Sequence, residues 1–156
     1  ETYKNISLAS LRTVMTSGMV DRRKEIRTAE RLKKQLNIKV GDVATQAVYL
    51  SGGNQQKVVV AKWFLADPKI IIMDEPTRGI DVGAKQEVFH IMESLAEAGK
   101  CIIFISSEVP EVIQVSSRIL VMSKGRIIGE FVEQRDQETI VDLMLQGEYG
   151  NGNDKN

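Results

Sequence analysis

The chain has 156 residues, enough for roughly one domain of about 100–200 residues. Lysine and arginine number 21, as do aspartate and glutamate, so the balanced charge is evidence against a nucleic-acid binder and against polybasic docking to anionic lipid. No apolar run approaches the ~18 residues of a spanning helix, no secretory leader pattern is found, and the single cysteine, Cys101, permits no internal disulfide.

The first 50 residues are predicted to be mainly helical. Helices are expected over Asn5–Val14 and Asp21–Leu36, with Gly18 breaking them, and a loop follows over residues 37–49. Basic residues of the second helix are interleaved with acidic ones, which favours a solvated helix face over a binding patch.

The middle of the chain predicts alternating helices and strands. A buried helix is expected over Ser51–Ala66, with Ser51 as its N-cap, and an amphipathic helix over Gly83–Ala98. The strands Lys69–Asp74 and Cys101–Ser106 are continuously apolar, which is typical of strands buried on both faces. Cys101 is therefore expected to be a core residue rather than a reactive thiol.

The last part predicts a short helix, a β-hairpin and a final helix. The hairpin turn is expected at Ser123–Arg126, and residues from Gly147 onward are rich in glycine and asparagine, which is typical of a disordered tail. The remaining elements are the helix over Pro110–Val115, the strands Arg118–Met122 and Ile127–Val132, and the helix over Gln137–Gln146.

A serine and two glycines precede the helix that ends at Ala66. The first amides of a helix are unpaired and its dipole favours negative charge, so this helix mouth suits an anion. Ser51 and the amides of Gly52 and Gly53 can donate to a phosphate, and the missing side chains let it approach the backbone. The alternative is a plain helix cap after a turn.

Two carboxylates, Asp74 and Glu75, end an apolar strand, where open α/β sheets place ligand chemistry. The alternative is a strand-terminal pair that is exposed without a function. No G-x-x-x-x-G-K-[ST] string occurs, so nothing in the chain can wrap the α- and β-phosphates of a nucleotide in backbone amides. The chain also begins without a methionine, and we interpret it as an excised piece that holds half of an active site.

Four strings follow one another in a characteristic order: Leu50–Lys57, Ile70–Pro76, Gly79–Lys85 and Ile105–Glu111. They resemble the signature motif, the Walker B strand, the D-loop and the switch region of the ATP-binding cassette (ABC) ATPases. The resemblance is to the carboxyl-terminal cassette of the fused double cassettes that drive import of monosaccharides of the ribose, galactose and xylose type. It runs from about residue 5 to about residue 147.

The resemblance implies an α/β fold: a P-loop NTPase-like ABC cassette fragment, with a mainly parallel sheet flanked by helices. Residues 1–50 would form part of the ABC helical subdomain. Residues 51–147 would form the signature helix and the RecA-like α/β part of the cassette. Residues 148–156 would be a flexible tail.

The resemblance also implies roles for individual residues. Asp74 would hold Mg²⁺ through water, and Glu75 would orient or polarise the attacking water. Asp81 is expected to cap the following helix and also to lie at the cassette interface. The residues that would face the γ-phosphate of ATP on the opposite cassette are Ser51, Gly52, Gly53, Asn54 and Gln55.

Ser107 departs from the general ABC pattern, in which most cassettes have a histidine at this place. A serine donates one hydrogen bond but carries no positive charge, which weakens the case for a competent site around Glu75. The resemblance places Ser107 beside the γ-phosphate. The only histidine, His90, is expected to be a surface or packing residue.

We interpret the chain as part of the ATP-binding and hydrolysing subunit of a carbohydrate ABC importer, inactive in isolation. The implied partners are ATP with Mg²⁺, the other cassette, transmembrane permease subunits and, indirectly, a periplasmic sugar-binding protein. The implied location is the cytoplasmic face of a bacterial-type cell membrane. Two alternatives stay open: a non-transport ABC ATPase acting on nucleic acid or ribosomes, and an interaction module with a vestigial ATPase fold.

Overall fold

A computed structural model describes residues 1–132 and 136–149. The described residues fall into two compact units, Glu1–Ile103 and the part from Phe104 onward. Residues 147–149 continue the last helix, so the expectation of a disordered tail from Gly147 onward is wrong for them; the rest of the expected tail lies outside the described residues.

The first unit begins with helix α1, Thr2–Ser7, and a 3-10 helix, Leu8–Val14. A short antiparallel hairpin follows, with strand β1 at Met15–Thr16 and strand β2 at Met19–Val20. Its turn residues, Ser17 and Gly18, both have positive φ, as type I′ hairpin turns require. The single helix expected over residues 5–14 is wrong in part, because α1 ends at Ser7 and a 3-10 helix follows it. The hairpin was not predicted.

Helix α2, Arg22–Gln35, begins where Asp21 accepts hydrogen bonds from the amides of Arg23 and Lys24. These amides are among the four that a helix start leaves unpaired, so the aspartate side chain defines the helix boundary. The buried Glu25 carboxylate accepts a hydrogen bond from the buried Ser7 hydroxyl, which joins α2 to α1.

The rest of the first unit contains a 3-10 helix, Ala47–Tyr49, followed by helix α3, Gly52–Ala66, and strand β3, Ile70–Asp74. Helix α4, Val82–Glu97, leads to strand β4, Cys101–Ile105, of which residues 101–103 belong to this unit, and β3 and β4 form a two-stranded sheet. The helices α3 and α4 and the strands β3 and β4 agree with the predicted elements to within one residue at each end, whereas the 3-10 helix lies in a segment predicted to be a loop.

Burial of the apolar strands differs from the prediction. In β3, Ile71 and Met73 are 6% and 8% exposed, whereas Ile70 and Ile72 are 59% and 66% exposed. Successive side chains of a strand point to opposite faces, so one face of β3 is buried and the other meets solvent. Cys101 at the start of β4 is exposed as well, so its assignment to the core is wrong.

Helix α3 is likewise only partly buried. Val58, Val60 and Ala61 are in the core, whereas Val59 and Trp63 are 43% and 46% exposed. The expectation of a buried helix is therefore confirmed for part of α3 and wrong for Val59 and Trp63.

The second unit contains helix α5, Val109–Val115, strands β5, Ile119–Ser123, and β6, Arg126–Phe131, and helix α6, Gln137–Tyr149. Strands β5 and β6 are antiparallel, with Ser123 paired to Arg126, so the predicted hairpin turn is confirmed. The buried apolar residues of the described part of this unit are Ile119, Val121 and Ile140.

Candidate functional site

The amino-terminal end of α3, residues 51–55, is called the α3 mouth, and it has no side-chain cap. Ser51 is the N-cap residue, as predicted, but its side chain makes no capping hydrogen bond, and both Ser51 and Gly52 are exposed. The first amides of a helix have no intrahelical acceptor, and the helix dipole places partial positive charge there. The α3 mouth therefore presents uncapped donors on the surface.

The Ser51 hydroxyl is held in place by Asn54. The Asn54 Nδ2 donates to Ser51 Oγ at 2.8 Å, and the Lys39 amide donates to Asn54 Oδ1 at 2.7 Å. Because the Ser51 oxygen accepts from Asn54, its hydroxyl hydrogen is the group available to donate to a ligand.

Gln55 fixes the segment that leads into α3. Its Nε2 donates to the Leu50 carbonyl at 2.9 Å and to the Val48 carbonyl at 3.4 Å. Asn54 and Gln55 are both predicted to contact phosphate, but their side-chain NH₂ groups donate hydrogen bonds to other residues of this chain. In this structure they position the α3 mouth.

The two glycines of the α3 mouth have different surroundings. A methyl group on Gly53, which is buried, would lie 2.5 Å from the Cβ of Ala84 in α4. A methyl group on Gly52 would lie 3.5 Å from the Ile80 side chain, an ordinary contact. The missing side chain of Gly53 therefore makes room for α4, and its expected contact with a phosphate stays a prediction.

The mouth of α4 lies beside the mouth of α3. Asp81 Oδ1 accepts a hydrogen bond from the Ala84 amide at 3.0 Å, so its predicted N-cap role is confirmed. The Gly52 Cα faces the Gly79–Ile80 segment, and Gly53 faces Ala84. The segments that resemble the signature motif and the D-loop are therefore contiguous within one chain.

The carboxylate pair stands where β3 ends. Asp74 is exposed, and Glu75 is partly buried with φ of +46°, a left-handed conformation that is uncommon outside glycine. Such backbone persists where the surroundings enforce it, and Thr77 in the following turn is only 1% exposed. The backbone of Glu75 is therefore held in a left-handed conformation next to a buried turn residue.

The carboxylate pair fits a magnesium ion that also binds phosphate. The described residues contain no group of three or more His, Cys, Asp or Glu side chains that could hold a metal alone. Mg²⁺ keeps several waters and takes one or two carboxylates together with substrate phosphates. Asp74, which is exposed at the end of β3, is compatible with that kind of site.

Ser107 belongs to the second unit, whereas the other predicted site residues belong to the first. It is exposed, and it follows Ser106, whose hydroxyl accepts from the Glu108 amide at 3.0 Å and donates to Glu111 Oε2 at 3.3 Å. His90 lies on the surface beside Glu93, in agreement with the prediction.

Lys57 is a residue of this region that the sequence analysis missed. It is 1% exposed, its Nζ donates to the Asn37 carbonyl at 2.8 Å, and it forms an ion pair with Glu87 of α4. Its position four residues after Gly53 was the available signal, because residues at this spacing share a helix face.

None of the helices in the described part of the chain is long and apolar enough to span a membrane.

Comparison with protein families gives a match of residues 2–78 to the profile described as ABC transporter. A xylose import ATP-binding protein of Thermoanaerobacter pseudethanolicus is 46% identical over 142 residues, 90% of this chain and 28% of the relative. An L-arabinose transport ATP-binding protein of Geobacillus stearothermophilus is 51% identical over 144 residues, covering 92% and 28%. A ribose import ATP-binding protein of Bacillus subtilis is 46% identical over 145 residues, covering 92% and 29%.

The chain thus spans less than a third of the length of these relatives. Among solved structures, a nucleotide-free ATP-binding cassette superposes with a TM-score of 0.75 at 19% identity, covering 90% of this chain and 58% of the other. A cassette dimer with bound ADP and Pi gives 0.71 at 22% identity, covering 85% and 56%. The P-loop NTPase-like cassette fold expected from the sequence is confirmed.

Proposed function

Since the chain belongs to the ABC transporter family of ATP-binding proteins, we propose that it is part of the ATP-binding and hydrolysing subunit of a carbohydrate importer. The relatives that cover most of the chain are named for import of xylose, arabinose and ribose, which supports a monosaccharide as the transported substrate.

The proposed contribution of this chain is a signature motif that acts in trans on ATP held by another cassette. The open α3 mouth, with Ser51 oriented by Asn54, is the observation that supports this role. Ser51 and the first amides of α3 are donors to a terminal phosphate, and the helix dipole strengthens them. Loss of the γ-phosphate on hydrolysis would remove these bonds and allow the two cassettes to separate.

The proposed roles of the carboxylates follow their placement at the end of β3. Asp74 would hold Mg²⁺ through water, and Glu75 would orient the attacking water. Ser107 would donate a single hydrogen bond to a γ-phosphate. The sequence contains no G-x-x-x-x-G-K-[ST] string, so the α- and β-phosphates would be held by residues outside this chain.

The proposed partners are ATP, a second cassette, permease subunits in the membrane and, through them, a periplasmic sugar-binding protein. In that assembly the chain would lie at the cytoplasmic face of the bacterial membrane.

A chimera tests the proposal directly. Residues of this chain replace the 145-residue segment that they match in the Bacillus subtilis ribose import protein. We expect the chimera to retain Mg-ATPase activity, and Gly52→Asp to abolish it by placing a carboxylate against the γ-phosphate. Gly41→Asp is the matched control, since Gly41 is an exposed loop residue with nothing within 4 Å of its added Cβ. A chimera that folds but hydrolyses no ATP, or equal losses in both variants, would contradict the proposal.

A further inference from the structure

Lys57 lies in an unusual environment for a lysine. Its side chain is 1% exposed, although lysines are almost never buried without a partner because desolvation of the charge is costly. Two groups compensate for it: the Asn37 carbonyl accepts from Nζ at 2.8 Å, and the Glu87 carboxylate forms an ion pair with it.

These partners come from two different elements around the α3 mouth. Asn37 follows α2 in a left-handed conformation, with φ of +48°, and Glu87 is in α4. Gly53 contacts Ala84 one helical turn before the Lys57–Glu87 pair, counted along either helix. The two contacts therefore join α3 to α4 at two successive helical turns.

The same network reaches the Ser51 hydroxyl. Glu87 Oε1 lies 4.0 Å from Lys39 Nζ, and the Lys39 amide donates to Asn54, which in turn donates to Ser51. Replacing the Lys57 ammonium group would remove a contact from Glu87 and a contact from Asn37. Residues 37–39 would then be held less firmly, and the hydrogen bond from the Lys39 amide to Asn54 would weaken.

We infer that Lys57 is a positioning residue, which holds the α3 mouth and the start of α4 in one fixed arrangement through Asn37 and Glu87. The inference rests on the proposed function, since it is the presentation of Ser51 to a γ-phosphate that this arrangement would serve. Lys57 touches no ligand itself, because its ammonium group is enclosed by the chain.

The test uses the full 156-residue chain without nucleotide, studied by NMR. In Lys57→Met, which keeps the straight apolar stem, we expect the Lys39 amide to exchange roughly tenfold faster, because the hydrogen bond to Asn54 loses its support. The side-chain NH₂ resonance of Asn54 should shift in the same variant. Glu87→Gln should move both signals in the same direction, and it keeps the inference testable if Lys57→Met does not fold.

Two controls separate positioning from general stability. Lys62→Met removes another lysine of α3, whose ammonium lies over the Trp63 ring and joins no second element. Leu95→Ala removes buried contacts of α4 two turns further on and lowers overall stability. The inference requires that neither control moves the Asn54 resonance. Unchanged signals in Lys57→Met, or equal changes in Leu95→Ala, would overturn it.

The chimera adds a readout that a purely structural role would not change. There Lys57→Met should lower kcat by about tenfold with a smaller change in KM for ATP, because donors to the transition state are displaced. A folded but inactive wild-type chimera would refute the proposed function and leave the NMR result valid. A full kcat in Lys57→Met beside shifted NMR signals would instead overturn the positioning role alone.

Discussion

Gly53 and Ala84 approach each other so closely that a methyl group on the glycine would lie 2.5 Å from the alanine Cβ. This contact brings the amino-terminal ends of α3 and α4 side by side. The segment with the open donors and the segment capped by Asp81 therefore form one continuous surface.

The close contact predicts that stability lost on substitution of Gly53 is regained by a second substitution at Ala84. Gly53→Ala should destabilise the chain by about 1–3 kcal/mol, since the added methyl overpacks the α3–α4 contact. Ala84→Gly should restore most of that loss in the double variant by removing the opposing Cβ. Urea unfolding followed by circular dichroism measures both. Gly52→Ala is the control and should not destabilise the chain, because its Cβ makes only an ordinary contact. A double variant no more stable than Gly53→Ala would refute the packing explanation.

The two helix mouths should respond differently to loss of their N-cap side chains. Asp81→Ala removes a capping hydrogen bond and should cost about 1 kcal/mol of unfolding free energy, and Asp81→Asn should retain most of it. Ser51→Ala removes no cap, so its effect on stability should be within about 0.5 kcal/mol. For ATPase activity of the chimera we expect the opposite ranking, with a larger loss in Ser51→Ala than in Asp81→Ala. Equal stability losses at both helices would contradict the assignment of α3 as uncapped.

Substitutions at the α3 mouth and at the end of β3 should differ in their effect on turnover. Gly52→Asp should lower ATPase activity of the chimera at least about 10²–10³-fold, the usual cost of losing one electrostatic stabiliser. Glu75→Gln keeps the size of the side chain and removes the carboxylate, and we expect only a several-fold loss. Steady-state ATPase assays of the single variants compare them. Near-complete loss in both would mean that Glu75 serves a working site.

Acid should weaken the start of α2. Hydrogen bonds from the amides of Lys24 and, less strongly, Arg23 hold the pKa of Asp21 below its ordinary value of 3.8. A lowered folded-state pKa contributes stability that is present above the unfolded pKa and is lost as pH falls through the folded pKa. The urea midpoint should therefore fall between about pH 5 and pH 3, and this part of the fall should be absent in Asp21→Asn. A midpoint with the same pH dependence in both proteins would contradict it.

The isolated chain should neither hydrolyse ATP nor bind it tightly. The absent phosphate loop and its lysine normally supply most of the ground-state grip on the nucleotide. Isothermal titration with Mg-ATP measures binding, and phosphate release measures turnover. Micromolar binding together with turnover would show that this chain holds a complete site.

The sequence predicted those elements whose ends are set by local chemistry. Asp81 caps α4, Asp67 before Pro68 ends α3 in a left-handed conformation, and Lys124 with Gly125 forms the β5–β6 turn. The Ser17–Gly18 turn uses the same left-handed backbone, but a serine is a weak signal for it, and the hairpin was missed.

Burial was predicted less well, because it depends on which elements cover a face and not on the strand's own residues. An apolar run such as Ile70–Met73 is compatible with one covered face or with two. The same limit applies to the site. Serine and glycine at a helix start indicate an anion-binding mouth, but the burial of Lys57 and the contact of Gly53 with Ala84 arise only from the packing of α3 on α4.

The exposed thiol of Cys101 has a practical consequence. It is the single cysteine of the sequence, so a maleimide dye attaches at one defined place at the start of β4 without any engineering. Its amide is bonded to the Lys69 carbonyl at 2.9 Å, so the dye would report from the sheet that carries Asp74. When a partner is added to the chain, a fall in the rate of labelling would show that the partner shields that part of the sheet.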